Sequence, residues 1–318
     1  MSLIFAIFCL AAVILAAILI GAYICFRIGF YVPDRDPGTT DTIELPEGEV
    51  YEPFYEKMIH WTKETRAMDK EHMTITSFDG LTLHGNYYEY APGAPIELMF
   101  HGYRGSAERD LSGGVQRCFR MERSALIVEQ RCSHESQGNA ITFGIYEHRD
   151  CLEWVNLAVR RFGPEVKIIL TGLSMGAATV LMASNKDLPS NVIGIIADCS
   201  YNSPREIIRM QIKQMGLPVS LCYPLCRLGA KLFGHFDPEA DSPLEAVKQA
   251  KVPILFFHGD ADDFVPCDMT RQLYEACTSR KQLVIVPGAG HGLSYPIDPV
   301  GYRAAARSFF APETTGVL

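Results

Sequence analysis

The chain has 318 residues, 48% of them hydrophobic and 21% charged, which excludes a disordered, fibrous or low-complexity protein and leaves room for one large domain or two small ones. Lys and Arg total 29 against 37 Asp and Glu, a formal net charge of -8 that repels a phosphate backbone and argues against nucleic acid as a partner. Ten cysteines are too sparse for a disulfide scaffold and lack paired metal-ligand spacing; Cys222 and Cys226 come nearest, in an apolar stretch without nearby His, so free buried thiols are expected.

Residues 3–26 carry no charge, and at about 1.5 Å per residue such a helix crosses a hydrocarbon layer of about 30 Å. A single membrane span over residues 1–28 is expected, because a cleaved signal peptide would have a basic start, a shorter apolar run and a small-x-small site. Arg27 and Arg35 follow the span, and with the many unpaired cysteines they lean toward a cytoplasmic catalytic domain. A linker is expected over 29–50, since residues 32–48 are rich in Pro, Asp, Thr and Gly, show no apolar period and read as a tether. Over 51–68, Tyr51, Phe54, Tyr55, Met58, Ile59 and Trp61 recur near helical spacing, predicting an amphipathic helix packed on the following domain.

Two runs, 73–78 and 81–90, flank Asp79-Gly80 and predict an antiparallel hairpin. Short apolar runs then alternate with longer amphipathic ones: 96–100, 125–129, 166–171, 192–197, 254–257 and 282–286. Runs this apolar suit strands covered on both faces, with helices as crossovers, so the fold class is α/β with a mostly parallel sheet in one domain, 51–318. Residues 200–240, interrupted by Pro204, Pro218, Pro224 and Pro238, read as a cap insertion. There is no internal repeat.

After the strand ending at Thr171 stands Gly172-Leu173-Ser174-Met175-Gly176, followed by a good helix. Strand, Gly-x-Ser-x-Gly, helix is the setting of a nucleophile elbow, in which the two glycines remove Cβ atoms that would block a strained turn. A serine hydroxyl is a poor nucleophile near neutral pH and needs a base, itself oriented by a carboxylate. The loop after 254–257 offers Asp260, Asp262 and Asp263, and the Gly-rich loop after 282–286 presents His291, the best placed of nine histidines. His101 and His258, each at the start of its loop, are expected to be structural. A tetrahedral intermediate needs two donors for its oxyanion; the candidates are the amides of Tyr103, in the loop after 96–100, and of Met175. Arg104 is expected at the surface, as are the carboxylates near Glu206.

These motifs together resemble the α/β-hydrolase superfamily over residues 70–312, and more narrowly its membrane-anchored bacterial serine hydrolases of the serine-aminopeptidase, monoglyceride-lipase and dipeptidyl-peptidase type. His101-Gly-Tyr-Arg-Gly105 is similar to the oxyanion loop, 172–176 to the elbow, 258–266 to the acid loop and 288–292 to the histidine loop. The resemblance implies Asp262 as catalytic acid, ahead of Asp263, Asp260 and Asp198. The sequence departs from the commoner Arg-Gly-x-Gly at 131–138, where His134 and Glu135 stand without a partner pair at metal-ligand spacing. The expected activity is hydrolysis of a carboxylic ester or related acyl bond through an acyl-enzyme on Ser174, with Asp262 and His291, an oxyanion hole of Tyr103 and Met175, and no metal or organic cofactor. The same triad would serve a peptidase, thioesterase or acyltransferase, and a non-catalytic binding protein on this frame is the alternative of another class. The expected partners are a small ester, acyl or peptide substrate and, through the N-terminal helix, a membrane.

Overall fold

The first element of the computed structural model, which describes residues 3–33 and 42–311, is helix α1 (Leu3–Gly29). It is long and apolar enough to cross a membrane, and its most apolar stretch is exposed. A short 3-10 turn (Glu52–Phe54) leads into α2 (Tyr55–Arg66), so the helix expected over 51–68 forms with both ends trimmed. Strands β1 (Glu71–Thr76) and β2 (Thr82–Tyr88) make the antiparallel hairpin, from Glu71 opposite Tyr87 to Thr76 opposite Thr82. Its corner is wider than Asp-Gly alone: the Ser77 amide donates to the Leu81 carbonyl at 2.8 Å, and Gly80 takes φ +89°, which a Cβ disfavours.

Strands and helices then alternate: β3 (Ile96–Phe100), α3 (Ala107–Arg120), β4 (Ser124–Val128), α4 (Glu147–Phe162), β5 (Ile168–Leu173), α5 (Met175–Ala183) and β6 (Val192–Asp198). Two helices interrupt the rhythm, α6 (Pro204–Gln214) and α7 (Val219–Phe233), before α8 (Pro243–Val247), β7 (Ile254–Gly259), α9 (Cys267–Ala276), β8 (Lys281–Val286), α10 (Ser294–Ile297) and α11 (Pro299–Phe310). The eight strands form one sheet in the order β1-β2-β4-β3-β5-β6-β7-β8, parallel from β4 to β8 with β1 and β2 antiparallel. β3, β4 and β7 are buried at every position, as parallel strands sheathed by helices must be, whereas edge strand β1 buries only Met73 and Ile75.

One face of the sheet packs Leu98, Leu126 and Phe256 against Trp154 of α4 and Val180 of α5. The other packs Ile169, Leu255 and Phe257 against α11, where the Phe257 and Tyr302 rings stack at 3.7 Å. A separate apolar cluster joins Ile207, Ile208 and Ile212 of α6 and Tyr223 of α7 to Phe143, Tyr201 and Phe236, and to Phe26, Phe30 and Val32.

That cluster corrects the tether reading at its N-terminal end. Phe30 and Val32 are buried, Tyr31 bridges Ala140, and the Val32 and Ile141 amides donate to the carbonyls of Asn139 and Phe30 at 3.0 and 2.9 Å. An aperiodic segment can still bury side chains singly and pair its backbone with another loop, which periodicity does not detect. At the other end Tyr55 donates to the Pro46 carbonyl and Arg66 to that of Thr42. Arg35 and residues 34–41 lie outside the described residues. The last turns of α1 cross α7, with Tyr23 and Phe26 against Phe233 at 5.2 and 5.9 Å between ring centres. Gly229 permits the approach, since a Cβ there would collide with the Ala22 carbonyl.

Candidate active site

β5 and β3 adjoin where the strand order reverses, and loops at the carboxyl ends of strands at such a point are where open α/β sheets place ligands. The chain leaves β5 through Ser174, held at φ 56° and ψ -115°, and enters α5. This turn requires both glycines: a Cβ on Gly172 would meet the Gly176 carbonyl, and one on Gly176 the Phe100 carbonyl. The Ser174 amide donates to the Asp198 carbonyl at 2.9 Å, pinning the elbow to β6.

The Ser174 Oγ lies 2.9 Å from His291 Nε2, and His291 Nδ1 lies 2.7 Å from Asp262 Oδ2. An ionised Asp262 can only accept, so Nδ1 carries the proton and Nε2 accepts from the Ser174 hydroxyl. The loop after β8 brings His291 there by turning at Gly288 and Gly292, φ +71° and +70°. Asp262 Oδ1 accepts from the amides of Phe264 and Val265 at 3.0 and 2.8 Å. Burial alone would raise its pKa, but the imidazoles of His258 and His291 outweigh that and hold the carboxyl below its ordinary range.

Asp260 and Asp263, the neighbouring carboxylates, are exposed, and Asp260 accepts from the Gly288 amide at 2.6 Å. Asp198 accepts from Ser294 Oγ at 2.7 Å, and burial raises its pKa. His101 receives the Gln130 amide on Nε2 at 3.0 Å and faces the Gly102 carbonyl with Nδ1. His258 is fully buried, its Nδ1 2.7 Å from Thr270 Oγ1 and its Nε2 2.9 Å from the Val265 carbonyl and 3.1 Å from Asp262. That second imidazole behind the acid escaped the sequence reading; its only signal was a His four residues before Asp262.

The Gly102 amide donates to Asp110 at 2.9 Å, and a Cβ on Gly102 would lie 3.6 Å from that of Ser174, so the β3 loop runs directly beside the serine. Met175 opens α5, where first-turn amides have no acceptor within the helix. The Tyr103 phenol donates to the Gly29 carbonyl at 2.8 Å, and Arg104 donates to the Ile28 and Tyr31 carbonyls at 2.9 and 3.3 Å. Arg104 is exposed, as expected, and its guanidinium is tied to the end of α1.

Ser174 and His291 open on a cleft of about 310 Å³ that is also lined by Tyr103, Asp198, Tyr295 and Tyr302. Tyr51, Met58 and Trp61 wall it from the N-terminal side. The sequence reading placed their stripe on the domain without linking it to the site, because no local motif connects residue 61 with residue 174.

The serine aminopeptidase S33 family profile matches residues 238–296, which include Asp262 and His291. Among curated proteins, the uncharacterized protein YqkD of Bacillus subtilis is 28% identical over 187 residues, 58% of this chain, and the match spans 61% of that relative's length. Among solved structures, the Pyrococcus furiosus esterase Pf2001 superposes with a TM-score of 0.63 at 20% identity, over 78% of this chain and 93% of the esterase. Est1E of Butyrivibrio proteoclasticus, solved with ferulic acid bound, gives 0.58 at 17% identity, over 76% of this chain and all of Est1E. At these identities the two structures speak for the fold alone. With the sheet order and antiparallel opening hairpin described above, they show that the chain has the fold of these esterases.

Proposed function

We propose that the protein is a serine hydrolase that cleaves a carboxylic ester or related acyl bond through an acyl-enzyme on Ser174. The observation that carries this reading is the hydrogen-bonded line from Ser174 through His291 to Asp262, with separations of 2.9 and 2.7 Å. In this mechanism Ser174 Oγ attacks the carbonyl carbon while His291 Nε2 takes its proton, and the imidazolium so formed is stabilised by Asp262, which stays ionised. The Tyr103 and Met175 amides receive the oxyanion. His291 returns the proton to the leaving alkoxide, then removes one from the water that attacks the acyl-enzyme and gives it to Ser174 Oγ as the acyl–oxygen bond breaks and the acid leaves. No step calls for a metal or organic cofactor.

The esterase likenesses favour a small ester, and we assign α1 as a single-pass anchor of a hydrolase domain spanning 51–318, with α6 and α7 as its cap. Hydrolysis of an aminoacyl bond is the second reading, favoured by the aminopeptidase profile over 238–296. The full chain in detergent, offered p-nitrophenyl esters of graded chain length and aminoacyl anilides, separates the two. Ser174→Ala should abolish both turnover and labelling by a fluorophosphonate; labelling that survives this substitution, or a native chain that neither labels nor turns over, would overturn the assignment in favour of another nucleophile or of a non-catalytic binding protein.

A further inference from the structure

The unusual loop 131–138 lies along β2. The Gln137 amide donates to the Thr82 carbonyl at 3.0 Å, and the Thr82 amide donates to Gln137 Oε1 at 2.8 Å. The His84 amide donates to Ser136 Oγ at 2.9 Å, and that hydroxyl donates to the Glu129 carbonyl at 2.7 Å. These bonds set Glu135 beside two imidazoles on the hairpin. His72 pairs with Asn86 and His84 with Thr74, so the two histidines are diagonal neighbours across β1 and β2.

Their geometry is that of ligands. His72 Nε2 lies 3.0 Å from His84 Nδ1, and Glu135 Oε2 lies 3.9 and 3.7 Å from those same two atoms. His72 Nδ1 lies 3.3 Å from Asn86 Oδ1, an acceptor, so it is the nitrogen that keeps the proton and the Nε2 lone pair faces His84 and Glu135. A carbonyl oxygen on the far nitrogen is the second contact that metal-binding imidazoles ordinarily make. Donors about 2.0–2.1 Å from a tetrahedral ion stand about 3.3 Å apart, inside the range these three span.

We propose that His72, His84 and Glu135 form a binding site for a divalent transition-metal ion, Zn²⁺ by its ligand chemistry, with solvent completing the coordination. Two imidazoles and one carboxylate suit a borderline cation better than Mg²⁺ or Ca²⁺, which take oxygen ligands. The ion would clip loop 131–138 to the opening hairpin. The same loop is held from its other end by Arg131, paired with Asp79 and Asp150 at 3.1 and 2.8 Å.

The test is calorimetric titration of Zn²⁺ into the full chain in detergent after dialysis against a chelator, with Co²⁺ as a spectroscopic probe. The native chain is expected to bind about one ion at this site and to develop the visible Co²⁺ band of a low-coordinate nitrogen and oxygen site. His72→Ala and His84→Ala should abolish that band, and Asn86→Ala should weaken Zn²⁺ binding about tenfold by freeing the His72 tautomer. All three side chains lie at least partly in solvent, so thermal unfolding of the metal-free variants should match the native chain and exclude misfolding as the cause. Absence of binding by the native chain would end the proposal. So would undiminished stoichiometry and Co²⁺ band in the His72/His84 double alanine variant, which would move the ion to another group such as Cys199, Asp262 and His291.

Discussion

Asp262 has donors on both oxygens, two amides on one and His291 on the other, with His258 3.1 Å away. Its pKa is held below the ordinary range, so it remains ionised beside His291. Asp262→Asn is therefore expected to lower kcat on a short ester by about 10⁴ with little change in KM, through loss of the correct imidazole tautomer. Asp263→Asn, at an exposed position, should leave kcat nearly native; equal losses in the two variants would move the acid elsewhere. Glu97 ties the stability of the fold to pH. Fully buried on β3, it pairs with Arg117 at 2.6 Å and Arg123 at 2.5 Å. Burial alone would raise its pKa, but the two guanidiniums bring it down to about 2. An unfolded Glu titrates near about 4.3, so this pairing stabilises the fold fully above that pH and is lost as pH falls toward about 2. Glu97→Gln strands two buried cations and should cost about 3–5 kcal/mol at neutral pH. It should also flatten the loss of stability between about pH 4 and pH 2. Urea unfolding at a series of pH values reads both effects; a native midpoint at neutral pH would contradict the account.

At the scale of elements, the end of α1 packs against the hydrolase domain. Phe26, Phe30 and Val32 fill the cluster under α6 and α7, and the carbonyls of Ile28 and Gly29 receive Arg104 and Tyr103. A chain starting at residue 48 loses all of these, and it should unfold at lower temperature and turn over esters more slowly than one starting at residue 20. Phe30→Ala alone should cost about 3–5 kcal/mol, as expected for a buried aromatic. Equal melting temperatures for the two truncations would show that residues 20–47 add nothing. The elements themselves were legible wherever a local rule governs them. β3 forms over 96–100 as expected, and of the four prolines that flagged the 200–240 insertion two begin helices, Pro204 at the first turn of α6 and Pro218 at the N-cap of α7, while Pro224 lies inside α7. The packing of 30–33 was not legible, because it depends on where a loop more than a hundred residues later returns.

For the whole molecule, the exposed apolar stretch of α1 predicts how the protein partitions. The expressed chain should sediment with membranes and resist extraction by alkaline carbonate, while a chain starting at residue 20 should be released; recovery of the full chain in the soluble fraction would argue against the anchor. The sequence by itself determined the α/β class, the opening hairpin, the apolar N-terminal helix and the order of the four loops around the cleft. Those features follow from short-range chemistry: a two-residue or 3.6-residue period, and a strained turn that admits only glycine at 172 and 176. Only the tertiary structure brought Asp262, the acid the resemblance implied, to 2.7 Å from His291, with His258 behind it, and set Tyr51 and Trp61 along the cleft wall. It also decided that Glu135 meets His72 and His84, whereas along the chain its neighbour is His134 and no partner pair stands at ligand spacing. Each of these is a distance between side chains carried by different elements, and such a distance depends on how sheet and helices pack, which no local pattern of residues encodes.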